Sequence, residues 1–198
     1  MQIILYKRLM LEGKVKRGTY GYINARKKSL LIKTLFFAII IIALIIIGLL
    51  VFGYFKNGLL IPSMILVAPF ANFFASYMAV VRFKTPPADM YSKLRHYDDA
   101  GMLLSDNIIV DEKGKRYLVE FIVFHDNGII GYSKSVISEK YIPESHINNT
   151  LSGRGIPFRF KIINDFDEFL KAIDGLSISD EENQNIEIAM ETVINASM

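Results

Sequence analysis

Cysteine and tryptophan are both absent from this 198-residue chain. Without cysteine there can be no disulfide and no thiolate metal site, which suits a reducing compartment. Acid is scarce at one end: residues 1–33 carry nine Lys/Arg against the single Glu12. From Pro86 onward the balance reverses to 11 Lys/Arg against 19 Asp/Glu, so the overall charge of +3 averages two opposite ends. An acidic folded region argues against nucleic acid as a partner of its surface. The sequence also lacks a phosphate-binding loop, a dinucleotide fingerprint, a Gly-x-Ser-x-Gly elbow and a His-Glu-x-x-His motif. His96, His125 and His146 fall in three different predicted elements without ligand spacing. No metal site and no cofactor is therefore expected.

What the chain does have is two long uncharged runs. Thr34–Phe55 holds 22 residues and Gly58–Val81 holds 24, with Lys56 and Asn57 between them. A hydrocarbon layer roughly 30 Å thick takes about 20 apolar helical residues to cross, so each run is long enough to span once. The first run is about twice a signal-peptide core and is followed directly by the second, so it reads as a retained helix. Basic residues crowd the outer flanks, notably Arg26, Lys27, Lys28, Lys33, Arg82 and Lys84. The positive-inside bias then puts both termini in the cytoplasm, and the same cations are suited to contact anionic lipid. No charge lies inside either run, which argues against a transporter.

The two runs differ in character. The first is nearly pure Ile, Leu and Phe, whereas the second contains Pro69 and Asn72. Ala71, Ala75 and Ala79 recur every four residues, with Ala68 three before them, giving a small-residue face for close helix approach. Its partner is either the first span or a second copy of the chain. Pro69 predicts a kink near mid-membrane. Asn72 then bonds across the hairpin or to carbonyls freed by Pro69, or else lines a pore.

The domain plan is a basic segment 1–33, a hairpin 34–83 with spans 34–55 and 58–81, and a cytoplasmic α+β domain 86–198. Ala88–Tyr97 reads as a helix opened near Pro87, followed by strands Met102–Val110, Arg116–Phe124 and Ile129–Val136. Asp126-Asn127-Gly128 is a strong hairpin signal between the last two strands. A helix over Pro143–Ser152, a strand over Phe158–Ile163, a helix over Phe166–Ile173 capped by Asp165, and a helix over Asp180–Ala196 capped by Ser179 complete the order αβββαβαα.

That order, with a glycine-containing hairpin between the second and third strands, resembles the core of the PD-(D/E)XK nuclease-like fold. It is most similar to the nuclease-related (NERD) domains found beside membrane spans in bacteria. The stretch carrying the resemblance runs from Tyr117 through Glu120 to Tyr132-Ser133-Lys134. In such families an acid on one strand and a (D/E)xK on the next hold Mg²⁺ and activate water. The resemblance implies Glu120 as the first acid and Lys134 as the lysine, while Tyr132 stands where a second carboxylate is required. An uncharged residue there removes an anionic metal ligand.

The expectation is thus a two-pass protein of the bacterial plasma membrane whose cytoplasmic domain binds an unidentified protein partner. The alternatives are a degenerate Mg-dependent nuclease-like enzyme and an oligomeric hairpin that forms a pore through its second span.

Overall fold

The computed structural model describes residues 15–53, 58–111, 113–126, 128–134, 141–174 and 184–197. Lys56, Asn57, Asn127, Ser179 and Asp180 lie outside them. The chain forms two compact units: one contains Ile23–Lys84, the other Val15–Tyr22 together with Thr85–Met198.

The first unit contains two helices, α1 (Tyr22–Phe52) and α2 (Leu60–Val80). Both are long and apolar enough to cross a membrane. Their large side chains are largely uncovered, with Leu50 at 80% and Ile65 at 68% exposure, unlike the core helices of a packed domain. Two of their hydroxyls are satisfied internally: Thr34 and Ser63 each donate to the carbonyl four residues back, Leu30 and Leu59, at 2.8 Å. The two helices run antiparallel, with Phe37 stacked on Phe73 at 5.5 Å and the Lys27 ammonium donating to the Phe83 carbonyl. α2 is continuous through Pro69.

In the second unit the order is α3 (Ala88–Asp99), β1 (Leu103–Val110), β2 (Arg116–His125), β3 (Gly128–Tyr132), α4 (Tyr141–Gly153), β4 (Phe160–Ile163), α5 (Phe166–Asp174) and α6 (Gln184–Ala196). This is the αβββαβαα succession expected from the apolar patterning. The four strands form one sheet in the order β1-β2-β3-β4, antiparallel at the first two joints and parallel at the third. Both faces are covered, which explains why the strands are buried along nearly their whole length. One face packs Leu104, Ile122 and Phe124 against Ile147 and Leu151 of α4 and Ala189 and Val193 of α6. The other packs Leu103, Phe121 and Tyr132 against Leu94 and Tyr97 of α3 and Phe169 and Ile173 of α5.

Local chemistry sets the joints. Pro87 precedes α3 with φ −58° and ψ 147°, an extended residue whose ring suits the helix entrance. Asp165 caps α5 through an Oδ1 that accepts from the Glu168 N–H at 2.8 Å. At the β1–β2 turn, Asp111 Oδ1 accepts from the N–H groups of Lys113 and Lys115 at 2.9 and 2.8 Å. Gly131 is needed for space: a Cβ there would lie 2.8 Å from the Phe160 ring, which packs across β3. The third strand ends at Tyr132, Ser133 donates its hydroxyl to the Leu118 carbonyl, and Val136 lies outside the described residues.

Both outer strands are occupied along part of their free edge. On β4, Asn148 of α4 accepts from the Phe160 N–H at 2.7 Å and donates to the Phe160 carbonyl at 3.0 Å, as a neighbouring peptide would. One turn earlier, Glu144 accepts from the Ile162 N–H at 2.6 Å. On β1, the Ser105 N–H donates to the Gly18 carbonyl at 2.7 Å, and Ile109 bridges Ser197.

Val15–Tyr22, which the sequence suggests is part of a basic tail, is therefore packed into this unit. Tyr20 stacks on Tyr91 at 4.2 Å and donates its hydroxyl to the Pro86 carbonyl at 2.9 Å. Gly18 has φ 81° and no room for a side chain, since a Cβ would lie 2.7 Å from Leu104 Cδ2.

Candidate functional site

The most unusual chemistry of the folded domain lies at one level of the β1–β2 pair. Ser105-Asp106-Asn107 interrupts an otherwise apolar strand, and all three are buried. Ser105 pairs with Phe121 and Asn107 with Val119, so the register puts Asp106 directly across from Glu120. Asp106 has φ 58°, the one positive value among the described non-glycine residues. At this level the side-chain alternation changes phase in both strands. Leu104 and Ile109 share a core face despite an odd separation, as do Val119 and Ile122. Both carboxylates of this level are buried, 1% and 7% exposed.

Each carboxylate has its own surroundings. Asp106 Oδ2 accepts from the Thr85 hydroxyl at 2.9 Å. Glu120 Oε2 accepts from the Lys134 N–H at 3.2 Å. The Glu120 carboxyl is pushed up to about 7, chiefly by burial, with the nearby Asp106 charge a smaller cause in the same direction. Its own N–H, that of Lys134 and the adjacent Ser133 hydroxyl oppose this rise without cancelling it. Tyr20 and Tyr132 border the pair, and burial raises both phenols, reinforced by Asp106 for Tyr20 and by Glu120 for Tyr132. Asn107, on the adjoining position, keeps both its amide oxygen and nitrogen buried without a hydrogen bond.

The structure thus brings Glu120 and Lys134 together, but through the backbone of Lys134. The lysine side chain is exposed, and no ion pair joins it to Glu120 among the described residues. Glu120 does not point outward from a half-buried strand, nor does it pair with Arg116 or Lys134; it is a buried acid beside a second acid. Asp106, Thr85, Ser133 and Tyr20 were not among the expected site residues. The signal for Asp106 was the polar triplet inside an apolar strand. Among the described residues no three His, Asp or Glu side chains cluster closely enough to hold a metal ion.

In the helical unit, Ala68, Ala71, Asn72 and Ala75 are exposed and Ala79 is half-buried. The contact with α1 uses Phe73 instead, with the Lys33 ammonium 5.5 Å from its ring. Among the described residues Asn72 makes neither the bond across the hairpin nor the bond to carbonyls near Pro69 that was expected of it. Given the Phe37–Phe73 and Lys27–Phe83 matches, Asn72 is level with about Ala38. At 1.5 Å per residue it lies about 4 Å from the midpoint of its own uncharged run, on the side of Arg82 and Lys84. Of the cations there, Lys27 is bonded to Phe83 and Arg82 lies 4.7 Å over the Phe83 ring. Comparison with protein-family models, curated proteins and solved structures gave no match.

Proposed function

We propose that this chain is a two-pass integral membrane protein of the bacterial plasma membrane, with both termini cytoplasmic, whose α+β domain recognises a protein partner. The observation that carries this reading is the pairing of two uncovered apolar helices with a separate domain that has a complete core and no legible catalytic cluster among the described residues. Arg26, Lys28, Lys33 and Arg82 sit at the basic ends of the helices, where contact with anionic lipid headgroups follows from charge. The exposed face of Ala68, Ala71, Asn72 and Ala75 is the natural place for a second copy to associate. A reporter active only outside the cytoplasm, fused after Met198, is expected to be silent, while a cytoplasm-active one is bright. The opposite pattern would reverse the topology.

A second reading is favoured by one observation, the Asp106–Glu120 pair. The order αβββαβ supports a nuclease-like scaffold, and Asp106 supplies a second carboxylate, though from the strand before Glu120 rather than from position 132. Purified full-length chain incubated with DNA or RNA and Mg²⁺ or Mn²⁺ is expected to show no hydrolysis. Hydrolysis abolished by Glu120→Ala would replace the binding-module reading with the enzymatic one.

A further inference from the structure

Val15–Tyr22 belongs to the folded domain, yet α1 and α2 separate it in the chain from Thr85, where the rest of that domain begins. The buried members of both core clusters all lie between Leu94 and Val193, so neither core draws a buried residue from the segment. Tyr20 alone packs against one of them, from the edge. Lys16, Arg17 and Thr19 are exposed.

The contacts that hold the segment are of the kind that seat a peptide. Its backbone turns on itself, the Thr19 and Tyr22 N–H groups donating to the Lys16 and Thr19 carbonyls. One main-chain bond joins it to the sheet edge, from the Ser105 N–H to the Gly18 carbonyl at 2.7 Å. Gly18 is demanded twice, by a φ of 81° and by Leu104 Cδ2, which a Cβ would meet at 2.7 Å. Tyr20 is the anchor: its ring stacks on Tyr91 at 4.2 Å and its hydroxyl donates to the Pro86 carbonyl at 2.9 Å. Arg17 Nη1 donates to the Ser197 carbonyl at 3.5 Å. Gly21 follows with a φ of 87°. Thr19 turns its hydroxyl back to the Lys16 carbonyl at 2.7 Å, within the segment itself.

We propose that the seat of Val15–Tyr22 is a peptide-recognition site filled by the chain's own segment, and that the partner it fits is a protein segment of the pattern Arg-Gly-x-Tyr-Gly. The inference rests on the proposal that the domain recognises a protein partner, and it gives that recognition a place. The chain's own segment closes the site, and a partner presenting the same turn displaces it. The domain stays folded during the exchange, because no buried side chain of either core leaves with the segment. The pattern is selective at its first glycine, where any side chain runs into Leu104, and at its tyrosine, which fills the place beside Tyr91 and reaches Pro86. The position between them is free to vary.

The test uses a fluorescein-labelled peptide of residues 15–22 and the detergent-solubilised full chain, followed by fluorescence anisotropy. In Tyr20→Ala the chain's own segment loses both its stack and its hydroxyl bond, which opens the site. That chain is expected to keep its circular-dichroism spectrum and to bind the peptide about tenfold or more tighter than the parent chain, whose site is filled. Tyr20→Phe, which loses the hydroxyl alone, falls between the two. A peptide carrying Gly18→Val binds the Tyr20→Ala chain about tenfold or more weaker, while one carrying Thr19→Ser binds it unchanged. Equal binding by the parent and Tyr20→Ala chains, no binding to either, equal binding of the Gly18→Val peptide, or loss of the fold in Tyr20→Ala would each overturn the site. Any of these leaves partner recognition through another surface standing; that reading falls instead on the nuclease assay described above.

Discussion

Glu120→Gln is expected to make the domain about 3 kcal/mol more stable at pH 8 while changing it little near pH 4.5. The carboxyl is raised from 4.5 to about 7 in the folded state, chiefly by burial. A tenfold change in proton affinity between the folded and unfolded chain is worth about 1.4 kcal/mol, which gives the magnitude. The sign follows from proton uptake. Between these two values the folded state holds a proton that the unfolded chain has released. The stability that this proton contributes is fully present below about pH 4.5 and is lost as pH rises through about 7. Glutamine is neutral throughout and keeps an oxygen to accept the Lys134 N–H. Other carboxylates and the buried His125 add their own slopes, so the difference between parent and variant is the quantity to follow. Urea unfolding of the full chain in detergent at several pH values measures it. A difference that is flat with pH would show that Glu120 is solvated in the folded state.

Gly18→Ala is expected to destabilise the same domain by about 2–4 kcal/mol. A side chain at φ 81° costs about 1–2 kcal/mol. The new methyl also meets Leu104 Cδ2 at 2.7 Å, and overpacking in a closed core costs about 1–3 kcal/mol. Leu104 is 4% exposed and packed in the main core, which limits how far it can retreat. The strain acts on the residue whose carbonyl takes the Ser105 N–H. Lys16→Ala, two residues away with an exposed side chain, serves as the control and should leave the unfolding midpoint unchanged. If Gly18→Ala behaved like Lys16→Ala, Val15–Tyr22 would be a tail lying against the domain rather than part of it.

These two positions mark where a reading of the sequence stops. The apolar helices were legible because length and absence of charge specify such elements without reference to the rest of the chain. The order of strands and helices was legible for a related reason: alternating apolar residues and local caps such as Asp165 act over a few positions. Gly18 carries its meaning only through Leu104, more than eighty residues away. Asp106 and Glu120 come to one level only once the strand register is known, and the phase change there breaks the alternation on which strand reading depends. Lys134 shows the same limit. Its ammonium suggested chemistry, whereas its backbone N–H is the group that reaches Glu120. On α2 the small-residue spacing was visible, but which face meets α1 depended on Phe37 meeting Phe73.

The occupied borders of the sheet have a consequence for how such a domain behaves among its own kind. Molecules confined to a surface meet more often than the same number free in solution, and an open strand would let each encounter grow into a ladder of paired backbones. Here Asn148 and Glu144 already fill hydrogen-bonding positions on β4, and Gly18 and Ser197 do so on β1. At those positions a strand from a neighbouring copy finds the backbone group already taken, which works against stitching two sheets into one.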